Sequence, residues 1–296
     1  MNAITYATAQ IVRVLPRTRI TRAAGHLADY AWPDLLGKAV VHFYCRAYNV
    51  KLDECCKRDG YTSFDDFFTR ELREGARTLP SDPRIVISPA DGRIDSLGRV
   101  DGHRFEVKGR PYEVSELVGD SAEAKRYEGG SGCVVYLSPR DYHRVHSPVA
   151  GKIVAVRSMR GDYYPVNAIG IQHVPKLLVR NRRVAIVIDS QGFGLVTVVM
   201  VSAMVVGRIT VTGIDARDVP IGCHTLKPPR AIARGEQIGI FHLGSTAVVF
   251  FEPGAKVRFL AGVGPIRFAE PLAIQDVQDA IQEATQNAIQ EKKGAE

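Results

Sequence analysis

The sequence predicts an α+β protein in which a helical N-terminal region precedes a mainly antiparallel β core of the barrel-sandwich type. Three observations predict this fold. Apolar residues recur at helical spacing in residues 1–61. From about Val86, short β-branched runs alternate with Gly, Pro and Asp. The frame S-P-x-x-G-R/K-I occurs twice, starting at Ser88 and at Ser147. Such a pseudo-repeat of turn and strand is typical of compact sandwiches and barrels.

The N-terminal region contains two helical segments. The first, ITYATAQIVRVL, places Ile4, Ile11 and Leu15 on one face and stops at Pro16, and the second begins near Pro33. Up to position 28 the charged residues are all arginines, namely Arg13, Arg17, Arg19 and Arg22. Packing on a core would explain the apolar faces, but an apolar face beside arginines also suits an anionic bilayer surface. We favour the bilayer and predict that residues 1–61 form a helical, membrane-associating region.

Residues 62–270 are predicted to form a single β-rich domain. It opens on a capped helix, with Thr62 or Ser63 near the helix start. The valine-rich stretch 194–207 is well short of the ~20 residues that span a bilayer, so it predicts a buried strand. Residues 271–296 predict a polar helical or disordered tail, to which no chemistry is assigned.

Composition limits the partners and the compartment. The chain has 39 basic and 32 acidic residues, a net charge of +7 that favours an anionic partner without choosing between nucleic acid and membrane. The five cysteines form no CxxC pair, which favours a reducing compartment. The N-terminus lacks the pattern of a signal peptide. We therefore expect a protein that neither spans a membrane nor is secreted.

Three polar residues near the two repeat units are candidates for chemistry. His143 and His146 lie beside the second unit, and Asp91 lies within the first. Two histidines and a carboxylate can ligate zinc. Alternatively, a His–Asp pair can activate a hydroxyl nucleophile. Hydrogen bonding within the turns would equally explain both histidines, and the spacing alone leaves the three alternatives open.

The pair Gly244–Ser245 lies between two apolar runs in the segment GIFHLGSTAVVFF. A tight turn or β-bulge is the simplest explanation. However, a serine hydroxyl can also attack the preceding carbonyl, and glycine leaves that carbonyl unhindered and its backbone free to adopt the required geometry. The product is an ester. β-Elimination then breaks the chain, and loss of ammonia leaves an N-terminal pyruvoyl group on the second chain.

These segments resemble a known family. LGST (243–246), SPADGRI (88–94) and LSPRDYHRVHSPVAG (137–151) are similar to the motifs of bacterial phosphatidylserine decarboxylases that cleave themselves within LGST. Further similar segments are FDDFFTRELREGAR (64–77), GDYYPVN (161–167), RNRRV (180–184) and VVG (205–207). Together they follow the family order from about residue 64 to residue 255, and the histidine segment combined with LGST is highly specific.

The resemblance implies a role for each candidate residue. Asp91, His146 and Ser245 would form the charge relay for self-cleavage between Gly244 and Ser245. The products would be a β chain, residues 1–244, and an α chain, residues 245–296. Ser245 would become the covalent pyruvoyl group that forms a Schiff base with the substrate amine. His143 would serve the decarboxylation step, by holding the phosphate or by managing the proton.

The resemblance also implies a setting. The substrate would be phosphatidylserine, the products phosphatidylethanolamine and CO2, and the pyruvoyl group the cofactor, with no metal. The protein would lie peripherally on the cytoplasmic face of the inner membrane, with no nucleic-acid partner. The two chains would stay associated after cleavage, with a homodimer as a further option.

Two alternatives come from other functional classes. A zinc hydrolase of the barrel-sandwich type would use Asp91, His143 and His146 as ligands, and would predict an intact chain with no role for Ser245. A carrier module is suggested by the P-x-x-G-R/K-I turns, which also occur in lipoyl-like domains. Those domains carry a modifiable lysine at a hairpin tip, and the repeat shows no such signature.

Overall fold

The computed structural model describes residues 15–166, 168–204, 207–242 and 245–276. Its helices are α1 Arg17–Asp29, α2 Asp34–Tyr48, α3 Phe64–Phe68, α4 Val114–Val118, α5 Ser121–Arg126, α6 Ala168–His173 and α7 Leu177–Arg180. No helix in these ranges is both long enough and apolar enough to cross a bilayer.

Strands dominate the remainder of the described chain. In chain order they are β1 Ile85–Ile87, β2 Gly92–Arg99, β3 Arg104–Val107, β4 Arg110–Glu113, β5 Ser131–Leu137, β6 Arg144–His146, β7 Gly151–Met159, β8 Arg183–Ser190, β9 Gly194–Ser202, β10 Arg208–Val211, β11 Gly222–Ile232, β12 Gln237–His242, β13 Ser245–Phe251, β14 Val257–Phe259, β15 Gly264–Ile266 and β16 Pro271–Gln275. A 3-10 turn, Pro253–Ala255, separates β13 from β14.

An eight-stranded antiparallel sheet with the order β11-β7-β8-β9-β13-β5-β2-β15 forms the centre of the fold. Two three-stranded sheets, β1-β16-β14 and β10-β12-β6, accompany it, and β3 and β4 form a separate hairpin. The predicted antiparallel β core is confirmed. The predicted barrel-sandwich closure is corrected, because β11 and β15 remain the two edges of an open sheet in the part of the chain described.

The middle strands of the central sheet, among them β8, β9 and β13, are buried on both faces, whereas the edge strand β11 is largely exposed. In β13, Ala247 and Val249 belong to the apolar core shared with the two three-stranded sheets, whereas Val248 and Phe250 belong to the core shared with α4, α7 and the β3-β4 hairpin. A strand buried on both faces is apolar without alternation. Of the stretch 194–207 that was predicted to be a buried strand, residues 194–202 form β9, and β9 has this pattern.

The two repeat units form corresponding turns that face each other. Ser88 Oγ donates to Ala90 O at 2.8 Å, and Ser147 Oγ donates to Val149 O at 2.6 Å. Backbone bonds from Ile87 N to Pro148 O and from His146 N to Pro89 O join the two turns. This pairing brings the segments that carry Asp91 and His146 together. A wider duplication of the chain remains a prediction.

Helix α1 is attached to the β core by ion pairs at both ends. Arg17 donates to Asp162 at 2.9 and 2.6 Å, and Asp29 accepts from Arg208 at 2.6 Å as well as from Arg217. Arg19 and Arg22 are exposed, whereas Ile4, Ile11 and Arg13 lie outside the described residues. Residues 271–275, assigned to the tail from the sequence, form β16 and pair with β1 and β14. The tail beyond residue 276 lies outside the described residues.

Candidate active site

Ser245 is the first residue of β13, the strand at the middle of the central sheet. Its backbone is in register with Leu137 of β5 on one side and with Ser202 of β9 on the other. The preceding strand, β12, ends at His242 and belongs to a three-stranded sheet. The chain therefore passes from one sheet to another at residues 243–244. This agrees with the predicted position of the Gly-Ser pair between two strands.

His143 is fully buried close to this transition. Its Nδ1 donates to Asp141 O at 2.8 Å, and its Nε2 has no hydrogen-bond partner among the described residues. Its ring lies 4.1 Å from the ring of Phe68, centroid to centroid. Burial, aided by the charge of Arg70, lowers the pKa of His143 to about 3. The imidazole is therefore neutral at pH 7, with an unshared electron pair on Nε2.

The segment around α3 fixes the histidine segment in place. Ser63 caps α3 by accepting from Asp66 N, which starts the helix at Phe64. Beyond the helix, Arg70 donates to Arg140 O and to Asp141 O, both at 2.9 Å. Two carbonyls of the loop that precedes His143 are thus satisfied by one guanidinium.

His146 is held in a defined tautomer three residues further along. Its Nδ1 donates to Gly235 O at 2.8 Å, so its Nε2 accepts from the Tyr142 hydroxyl at 3.1 Å. The ring of Phe268 stacks on it, with centroids 3.7 Å apart. Burial lowers the pKa of His146 to about 4 despite the bond to Gly235. Nε2 of His146 is therefore unprotonated, as a general base must be, and its hydrogen-bond partner is the hydroxyl of Tyr142.

Asp91 makes no hydrogen bond to His146 among the described residues. The two residues are linked through Phe268, whose backbone N donates to Asp91 and whose ring stacks on His146. One carboxylate oxygen accepts from Phe268 N at 2.7 Å and the other accepts from Arg77 at 2.9 Å. Burial raises the pKa of Asp91, and the charge of Arg77 opposes that rise. The carbonyl of Gly235, rather than Asp91, orients the imidazole of His146. Asp91 instead fixes the residue whose ring stacks on that imidazole.

Among the candidate residues, the structure thus brings Asp91 and His146 into one cluster and leaves His143 in another. In the β6-β12 pair, His146 is in register with Gln237, whereas His143 O accepts from Phe241 N. His143 therefore lies roughly three residues, about 10 Å, nearer the 243–244 segment along this pair. In the described ranges, no group of three His, Cys, Asp or Glu side chains is arranged to hold a metal ion. Asp91, His143 and His146 consequently do not form the alternative zinc site.

A second buried cluster next to the Gly-Ser pair was missed in the sequence analysis. His242 Nδ1 lies 2.9 Å from both carboxylate oxygens of Asp65, and its Nε2 lies 2.7 Å from Thr210 Oγ1. Burial would raise the pKa of Asp65, but His242 and the guanidinium groups of Arg208 and Arg217 hold it below its usual value. The FDDFF segment contained the acid, but no local pattern links it to a histidine so distant in the chain.

A basic cavity of about 600 Å³ lies between α1 and the β core. Four arginines contribute to its lining: Arg22, Arg160, Arg182 and Arg208. Arg208 is in register with His242, and Arg182 O accepts from Ser202 N. The cavity therefore borders strands that lead to residue 245. Arg182 is paired with Asp218 and Arg208 with Asp29. Arg22 and Arg160 are thus the lining arginines with no ion pair among the described residues, and their charge suits a phosphate.

Comparison with known proteins identifies the family. A profile of phosphatidylserine decarboxylase matches residues 64–273. The phosphatidylserine decarboxylase proenzyme of Anaeromyxobacter sp. (strain K) is 35% identical over 88% of this chain and 95% of its own length. The proenzyme of Bordetella avium (strain 197N) is 38% identical over 88% and 91%, and that of Psychrobacter arcticus 36% identical over 83% and 90%.

The chain belongs to the phosphatidylserine decarboxylase family. The resemblance inferred from the LGST and histidine segments is thereby confirmed. The matched region of the family runs from α3, which holds the histidine loop, to β16, which pairs with β1. It includes every candidate site residue. The individual roles of those residues remain predictions.

Proposed function

We propose that this protein is a self-cleaving, pyruvoyl-dependent carboxy-lyase that converts phosphatidylserine to phosphatidylethanolamine and CO2. The observation that carries the proposal is the position of the LGST motif in a chain of this family. Ser245 starts a central strand, whereas the preceding strand belongs to another sheet, and beside that preceding strand lies a buried histidine nitrogen with no partner in the part of the chain described. A simple turn would require neither the serine nor the neutral imidazoles nearby.

Self-processing would begin at the Gly244–Ser245 peptide bond. The Ser245 oxygen bonds to the Gly244 carbonyl carbon, the C–N bond breaks, and the hydroxyl proton ends on the freed amine. β-Elimination then takes the Cα proton and breaks the Cβ–O bond, so that Gly244 leaves as a carboxylate. Water replaces nitrogen at the remaining dehydroalanine, and ammonia departs. The β chain, 1–244, and the α chain, 245–296, remain associated through the two strands that flank β13.

In this proposal the two histidines serve different reactions, His146 self-cleavage and His143 decarboxylation. His146, neutral and with its tautomer fixed by Gly235, is the base for self-cleavage, and its Nε2 contacts the hydroxyl of Tyr142. Asp91 is a positioning residue that acts through Phe268. His143 serves decarboxylation, because its Nε2 is free to accept a proton or a hydrogen bond.

The residues around Ser245 fit the pyruvoyl group. Two buried polar atoms, His143 Nε2 and Ser202 Oγ, have no partner among the residues that the structure describes. They lie on segments adjacent to β12 and β13, so an added carbonyl would find polar contacts there. When present, this group supplies an electron-accepting carbonyl for the electrons left when CO2 departs. The arginines of the basic cavity would hold the phosphodiester, and burial would exclude water from the substrate carboxylate.

Intact-mass spectrometry of the freshly purified chain under denaturing conditions tests the proposal. Two species divided at Gly244 are expected, the smaller one lighter by one ammonia than a peptide that begins with serine. The same preparation should release CO2 from carboxyl-labelled phosphatidylserine. A single intact chain, or a cleaved chain that starts with serine and releases no CO2, would contradict the proposal.

Membrane association is proposed from the exposed apolar surface of α1 and α2. Leu35 is 85% exposed and Phe43 is 74% exposed, whereas Gly37 and Val41 on the same helix are buried. Exposed Arg19 and Arg22 on α1 complement an anionic bilayer. We propose that this face lies on the cytoplasmic surface of the inner membrane, where the lipid substrate is available.

The double variant Leu35→Glu/Phe43→Glu is expected to bind anionic vesicles at least about tenfold more weakly, because two apolar insertions are lost and two negative charges are added. Self-cleavage should be unchanged, because neither side chain is part of the core. Val263→Glu is a matched control at a 62% exposed site on a distant loop. Vesicle co-sedimentation measures the effect. Equal binding of the double variant and the wild type would disprove the membrane role of this surface.

A further inference from the structure

Ser202 has a buried hydroxyl to which the proposed mechanism gives no role in self-cleavage. Its side chain is fully buried, and Oγ has no hydrogen-bond partner among the described residues. Other buried serines of the same core, such as Ser88 and Ser147, donate to carbonyls within their own turns. Since burying an unpaired hydroxyl costs stability, its retention calls for an explanation.

The position of Ser202 relative to the cleavage site provides that explanation. Ser202 of β9 is the cross-strand partner of Ser245 in β13. Its N donates to Arg182 O, and its O accepts from Asn181 Nδ2, both at 2.8 Å. Both backbone groups thus point away from β13. The pair is therefore of the non-hydrogen-bonded type, in which the two Cα atoms approach to ~4.5 Å.

We propose that Ser202 is a further residue of the self-processing site, whose hydroxyl donates a hydrogen bond to the Gly244 carbonyl oxygen as Ser245 attacks. This inference rests on the proposed function. Negative charge develops on that oxygen while the new C–O bond forms, and a preorganised donor in a site without water stabilises it. Ser202 keeps its own proton throughout, and the proton of Ser245 still ends on the freed amine.

The test follows self-cleavage in chains newly made by cell-free synthesis, with the two products separated by electrophoresis. Ser202→Ala is expected to slow the cleavage about 100-fold. Its melting temperature should stay equal or rise, because no hydrogen bond to a described residue is lost. Ser202→Thr keeps the hydroxyl and should restore most of the rate. Ser190→Ala, at a buried site at the far end of β8, is the matched control and should cleave at the wild-type rate.

Hydroxylamine identifies the affected step, because it cleaves an accumulated ester. If Ser202 acts during the attack, hydroxylamine should not accelerate cleavage of the Ser202→Ala chain. Acceleration would mean that the ester forms normally and would overturn the proposal.

A wild-type rate in Ser202→Ala, or in the volume-matched Ser202→Cys if the alanine variant is insoluble, would also overturn the proposal. Both outcomes presuppose that the wild-type chain cleaves itself and releases CO2. If the wild type fails to do so, the proposed function fails together with this inference.

Discussion

Ser245→Ala is expected to give a folded, intact chain with no detectable decarboxylase activity. Alanine removes the only hydroxyl that can attack the Gly244 carbonyl in this mechanism, so the ester does not form and the pyruvoyl group has no precursor. The backbone of β13 should persist, because its ladders with β5 and β9 are made by main-chain groups. The loss of self-cleavage should therefore be complete, whereas the melting temperature should change little.

Ser245→Cys is the matched control for this experiment. A thiol is a nucleophile of similar size, so this chain should still cleave, at a reduced rate. Denaturing electrophoresis and intact mass measure both variants. Cleavage of the Ser245→Ala chain at residue 244 would disprove the mechanism, since no nucleophile would remain at that position.

His146→Ala is expected to slow self-cleavage by about 10²–10⁴-fold, the range that a positioned general base contributes. The variant removes the nitrogen whose tautomer Gly235 fixes and leaves the hydroxyl of Tyr142 without its acceptor. Intact chain should accumulate in a time course. Wild-type kinetics in this variant would exclude His146 as the base.

His143→Ala should separate the two reactions. We expect it to cleave itself but to release CO2 about 100-fold more slowly per cleaved chain, because only decarboxylation needs the free Nε2. Equal losses in both steps would contradict this division of roles. So would normal CO2 release from the cleaved variant.

The pH dependence of self-cleavage provides an independent measurement. Burial holds the pKa of His146 at about 4, so its base form persists well below the ordinary histidine value of about 6.5. Cleavage of the wild-type chain should accordingly proceed at pH 5.5 nearly as fast as at pH 7.5. A rate that falls through pH 6.5 would show that the base is an exposed histidine rather than His146.

Local sequence patterns were sufficient to predict the strands and to select Gly244–Ser245 as the candidate cleavage pair. The apolar run after Ser245 predicts a strand because a residue buried on both faces of a sheet must be apolar, and β13 is that strand. The glycine and serine at 244 and 245 were singled out by properties that each residue type has by itself, namely backbone freedom and a nucleophilic hydroxyl. The histidine segment, residues 137–151, was likewise recognised from its own residues.

The contacts among these residues were not predictable from local patterns. Asp91 was expected to contact His146. In the structure, the Asp91 carboxylate instead accepts hydrogen bonds from Arg77 and Phe268. His146 is hydrogen-bonded to Gly235 and Tyr142. The pair Asp65–His242 was not foreseen at all. Which residues become partners depends on which loops lie close together in the folded chain, and sequence spacing does not contain that information.

The sequence by itself determined the family, the antiparallel strands, the candidate cleavage pair and the residue types available for proton transfer, because each depends on chemistry or periodicity within a short segment. Only the tertiary structure decided that the central sheet stays open, that the two histidines are neutral, and that Ser202 lies opposite Ser245. Strand register, burial and the resulting pKa values arise from contacts between distant segments, and these exist only after the chain has folded.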